Sequence, residues 1–139
     1  MNKTDKVFLG GTTNETTWRD GVIKRLLKHN LYYFNPVVDD WDETSKAKEI
    51  HEKENLCNIH LYVITSDMIG VYSIAEIVES SFNKNVTTIA QVIPEGFDEK
   101  QLYSLRAVLD LASRHGAITY IHKDPFYSIE QFIIYNNNK

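Results

Sequence analysis

Only one cysteine, Cys57, stands among the 139 residues, so no internal disulfide can form and a hydrophobic core must hold the fold. With no apolar leader in Met1-Asn2-Lys3-Thr4-Asp5, the lone thiol leads us to expect a reducing, cytoplasmic setting. No apolar run approaches the roughly eighteen residues a membrane helix needs, which argues against a membrane partner. Basic residues are outnumbered, 15 Lys and Arg against 19 Asp and Glu, and a formal charge of −4 argues against a surface that tracks nucleic-acid phosphates. The histidines lack the i, i+4 pairing of a metal site, and the oxygen-rich run Asp39-Asp40-Trp41-Asp42-Glu43 lacks EF-hand spacing. No metal and no cofactor is expected, and a small molecule is the expected ligand. Cys57 has no basic neighbour in sequence to lower its pKa and reads as a structural thiol.

What is present is an alternation of strand-like and helix-like apolar segments over a length that suits one domain, residues 1–139. Lys6 to Gly10 reads as the first strand. Thr17 to Lys28 reads as a helix, with Trp18, Val22, Ile23, Leu26 and Leu27 at helical spacing. A short strand from Leu31 to Phe34 stops at Asn35-Pro36, an acidic loop follows from Val37 to Glu43, and a charged helix is expected from Ser45 to Leu56. Strands from Ile59 to Thr65, Val86 to Ile93 and Ile118 to Ile121 then alternate with helices from Ser73 to Phe82, Asp98 to His115 and Ser128 to Tyr135. The tail Asn136-Asn137-Asn138-Lys139 is polar enough to fray unless a neighbouring subunit holds it. Right-handed crossovers then favour a doubly wound, flavodoxin-like parallel sheet of five strands in the order 2-1-3-4-5, with helices on both faces.

In that order the first and third strands are neighbours, and ligands bind where their carboxyl ends flank a crevice. Gly10 and Gly11 would let a ligand approach the backbone there, with Thr12 beside them. No third glycine opens the next helix, so a dinucleotide fingerprint is excluded. Across the crevice, Ser73-Ile74-Ala75-Glu76 has two readings. It satisfies the capping-box rule, in which Glu76 accepts a backbone hydrogen bond, and it also delivers a carboxylate to the ligand site. Asp67, in Ser66-Asp67-Met68-Ile69-Gly70, is either a turn residue or a second acid.

Taken in order, Val7-Phe8-Leu9-Gly10-Gly11-Thr12, Trp18-Arg19, Asn35-Pro36 with Trp41 five residues after Pro36, Glu52, and Ser73-Ile74-Ala75-Glu76 resemble the nucleoside 2-deoxyribosyltransferase-like superfamily. The likeness is greatest to its small bacterial and phage members. It implies cleavage or transfer at the N-glycosidic bond of a (deoxy)nucleoside or nucleotide, with Glu76 as nucleophile and Asp67 and Glu52 assisting. It further implies a substrate pocket that includes Phe8, Gly10, Gly11, Thr12, Trp41 and Ser73, and a homo-oligomer in which C-terminal residues complete a neighbour's site. The chain departs from the family in having Ile77 directly after the nucleophile position, Val37-Val38 after Asn-Pro, His60 in place of a buried acid, and Phe8 where relatives carry a tyrosine. A noncatalytic module that binds a nucleotide-derived ligand in the same crevice is the second reading.

Overall fold

A computed structural model describes residues 5–13, 17–37 and 42–138. Its strands are β1 (Lys6–Gly11), β2 (Tyr32–Phe34), β3 (Ile59–Ile64), β4 (Thr87–Val92) and β5 (Ile118–Ile121). They form one sheet in the order β2-β1-β3-β4-β5, and every neighbouring pair runs parallel. This is the doubly wound, flavodoxin-like arrangement anticipated above. Five helices accompany it: α1 (Trp18–Lys28), α2 (Glu43–His51), α3 (Tyr72–Ser81), α4 (Glu99–Arg114) and α5 (Tyr127–Asn137). Among the described residues no helix is long and apolar enough to cross a membrane.

The pleat of each strand divides the core between the two faces. Val7, Leu9, Leu61, Val63 and Ile89 pack on one side with Val22 and Leu26 of α1 and Ile129 and Ile133 of α5. Phe8, Tyr62, Ile64, Ala90 and Val92 pack on the other with Ile77 of α3 and Leu105 and Leu109 of α4. Burial on both faces explains why the inner strands read as continuous apolar runs rather than alternating ones.

Most boundaries shift by a residue or two from expectation, and the larger or more consequential differences lie in the helices. The second helix starts at Glu43 because Asp42, expected in the acidic loop, is its N-cap and accepts from the Ser45 N–H at 2.9 Å. It ends as an α-helix at His51, and Glu52–Leu56 continues as a π-helical turn closed by Cys57 N–H to the Glu52 carbonyl at 2.8 Å. The third helix begins at Tyr72, so Ser73 already lies inside it and is not the N-cap. The last helix runs on to Asn137 with Asn136 buried, so the polar tail is helical there rather than frayed. The acidic capping motif is found instead at α4, where Asp98 and Gln101 bond reciprocally at 2.8 and 2.9 Å.

Candidate active site

At the carboxyl ends of β1 and β3, where the chain reverses direction across the sheet, a cleft of about 740 Å³ opens. Gly10, Gly11 and Thr12 form its floor on the β1 side, α2 forms one wall and the start of α3 the other.

The floor depends on both glycines. The ring of Tyr62, opposite Gly10 on β3, occupies the space a Cβ at position 10 would need. Gly11 has φ +103°, and a Cβ there would collide with the backbone of Val63. Arg19 fixes the loop from beneath. Its guanidinium donates to the carbonyls of Leu9 (3.0 Å), Gly11 (3.2 Å) and Thr12 (2.6 Å), and lies 4.3 Å from the Trp18 ring centroid. Burial pushes the Arg19 pKa down to about 10, against the opposing pull of the Glu49 and Glu76 carboxylates. The Thr12 hydroxyl is itself engaged, accepting from Thr65 N–H at 2.9 Å and thereby tying β1 to β3.

Glu76 lines the cleft, is buried, and receives a hydrogen bond at Oε2 from Lys53 Nζ at 2.8 Å. Because Ser73 is helical and no side chain caps α3, the capping reading of Glu76 does not hold. Lys53 is buried too, with its ammonium 3.6 Å from Glu79 and 6.0 Å from the Tyr72 ring centroid. Burial works against the Lys53 charge, but the Glu76 hydrogen bond and field outweigh it, and the pKa is raised.

A lysine raised in the folded state contributes stability below its unfolded pKa and loses it as pH climbs through the folded value. The urea midpoint of wild type relative to Lys53→Gln is therefore expected to hold a constant gap up to about pH 10 and to narrow above it. A gap that narrows between pH 7 and 9 would contradict the pairing.

Behind Lys53 lies a closed polar relay. The Lys53 carbonyl can only accept, so His60 Nε2 carries the proton and donates to it at 2.9 Å. Burial lowers the His60 pKa and keeps the ring neutral. His60 Nδ1 then accepts from Ser80 Oγ at 2.9 Å, and Ser80 accepts from the Tyr62 hydroxyl at 2.7 Å. Burial first, and the Glu76 field second, push the Tyr62 pKa up, which keeps that proton in place.

Of the residues singled out from sequence, Gly10, Gly11, Thr12, Ser73 and Glu76 come together around the cleft. Phe8 does not line it. It lies in the core beneath, stacked on Phe34 with ring centroids 6.0 Å apart. Asp67 is exposed on the turn after β3, with its N–H donated to Thr65 Oγ1 at 3.2 Å. Glu52 pairs with Lys6 Nζ at 2.6 Å, at the amino end of β1 and away from the cleft. Trp41 lies outside the described residues. Cys57 is buried, and burial pushes its thiol up to about 12, as a structural thiol requires. Among the described residues no group of three or more His, Cys, Asp or Glu side chains gathers as a metal site.

Sequence reasoning missed Lys53, Glu49 and Arg19. The first two were legible in principle, since Lys46, Glu49, Ile50 and Lys53 recur at i, i+3, i+4 and i+7 and all face the cleft. Arg19 entered the sequence reading only within the Trp18-Arg19 motif, with no role attached to it.

A family model described as nucleoside 2-deoxyribosyltransferase like matches residues 4–93, which takes in β1 through β4 and both walls of the cleft. No match is found among curated proteins or among solved structures.

Proposed function

The chain belongs to the nucleoside 2-deoxyribosyltransferase-like family, and on that footing we propose that it cleaves or transfers the N-glycosidic bond of a (deoxy)nucleoside or nucleotide through Glu76. The observation that carries this reading is the buried Glu76 carboxylate at the cleft, with one oxygen held by Lys53. Among the described residues only that ammonium hydrogen-bonds the carboxylate, so Oε1 is left for a substrate.

The chemistry follows retaining glycosidase logic. A Glu76 oxygen bonds to the anomeric carbon, the C1′–N bond breaks, and its electron pair leaves on the base nitrogen, which is then protonated. Water or a second base releases the sugar from the glutamyl ester. Glu49, on the cleft face of α2, is the second carboxylate best placed to assist. Asp67, on the turn just before the lining residue Met68, is the next candidate, while Glu52 is engaged with Lys6. The apolar sides of Pro36, Val37, Ile50, Ile69 and Tyr72 would cover the flat base.

The test is base release from a panel of deoxynucleosides and deoxynucleotides, followed by chromatography with and without a second free base. Release in buffer alone indicates a hydrolase, and release that requires the second base indicates a transferase. The Lys53 contact also favours one alternative, because a carboxylate neutralised by a fixed ammonium suits a noncatalytic nucleotide-binding module. Nucleoside binding with no release across the panel would select that module.

A further inference from the structure

Lys53 has two acidic neighbours that differ in burial. Its ammonium lies 2.8 Å from Glu76, whose side chain is 7% exposed, and 3.6 Å from Glu79, whose side chain is 73% exposed. The three-residue spacing sets both carboxylates on one side of α3. Lys53 is itself 8% exposed, so it has little water to turn to when a partner is lost. An isolated buried ammonium is costly, and whatever neutralises Glu76 would strand one unless another carboxylate takes over.

We propose that Glu79 is that carboxylate: Lys53 holds Glu76 while it is ionised and passes its hydrogen bond to Glu79 when Glu76 becomes an ester. The inference rests on the glutamate nucleophile proposed above. In that step Glu76 forms its bond to C1′, the C1′–N electron pair leaves with the base, and the base nitrogen takes up a proton from solvent. One carboxylate charge disappears beside Lys53, and Glu79 restores it. Shortening the 3.6 Å separation to an ordinary charge-assisted hydrogen bond requires a shift of about 1 Å. Because Glu79 is exposed, water stabilises its charge between turnovers. Glu79 is on this account a positioning residue that acts through Lys53.

The groups around Lys53 are accounted for. Glu76, Glu79 and Tyr72 face it from α3, and Glu49 precedes it by one turn on the cleft face of α2. His60 of β3 holds its carbonyl and is neutral. Arg19, across the cleft floor, interacts with Glu49 and Glu76.

Glu76→Gln supplies a neutral stand-in for the ester without any substrate. The Lys53 side chain would be titrated by NMR in wild type, Glu76→Gln and Glu76→Gln/Glu79→Gln. The single variant is expected to keep the Lys53 midpoint in the ordinary lysine range, because Glu79 takes over. The double variant is expected to drop it by a further pH unit or more, about a tenfold rise in neutral amine at a given pH. Equal midpoints in the single and double variants would overturn the proposal. Glu79 is exposed, so the second substitution adds little folding risk of its own. In turnover, Glu79→Gln is expected to lower kcat about tenfold with KM unchanged, the signature of an interaction made after substrate binds. If wild type releases no base from any nucleoside, the proposed function fails while the titration still decides the exchange.

Discussion

Glu76→Gln is expected to lower base release by on the order of 10³-fold or more while nucleoside binding persists. The amide keeps the shape and most of the packing of the carboxylate but supplies no anionic oxygen to the anomeric carbon. Folding should survive, since Lys53 retains Glu79 at 3.6 Å and the side chain at position 76 remains isosteric. Base release by chromatography, with binding followed separately by calorimetry, divides the two effects. A variant that turns over within tenfold of wild type would remove Glu76 from the chemistry and return the carboxylate to a structural role.

Lys53→Met is expected to be the most destabilising single change at the site, because it leaves the buried Glu76 carboxylate without its cation. Breaking a buried pair from one side costs about 3–5 kcal/mol. For a chain of 139 residues that corresponds to a fall in Tm of roughly 10–15 °C. The same reasoning predicts the rescue. Lys53→Met combined with Glu76→Leu removes both charges together, and most of the lost stability should return although activity does not, since a packed apolar pair can match a buried ion pair. Calorimetric melting of the two variants beside wild type is sufficient. A loss below about 1 kcal/mol for Lys53→Met would mean that water screens the pair as it screens a surface bridge.

Together these outcomes separate what the pair does for the fold from what it does for the chemistry. Stability needs Glu76 neutral or paired. Nucleophilic attack needs it ionised, fixed and open to the cleft on one side. A lysine delivered by a π-helical turn, with its carbonyl held by His60, pairs with Glu76, and on the proposed function it would meet both needs at once.

By itself the sequence determined the sheet, its strand order and the neighbourhood of the cleft. Those follow from short-range signals: continuous apolar strands, helical stripes, the Gly10-Gly11 pair at a strand end, and handed crossovers. Glu76 was legible as a residue to explain, but its two readings could not be separated locally, because a capping box and a catalytic acid share the same spacing. The start of α3 at Tyr72 removes the capping reading, and the catalytic reading is the one the Glu76→Gln measurement tests. The α2 wall shows the same limit more sharply. Glu52 and Lys53 are adjacent in sequence, yet one residue's rotation in the π-helical turn sends one to Lys6 at the amino end of β1 and the other to Glu76. Phe8 shares a strand face with Gly10 but lies two residues deeper along β1, packed beside Tyr62, and so belongs to the core rather than the cleft. Periodicity reports which face a residue occupies, but which partner waits there depends on segments tens of residues away. Only the packing of the π-helical turn and α3 on the second face of the sheet could supply the cation that holds Glu76.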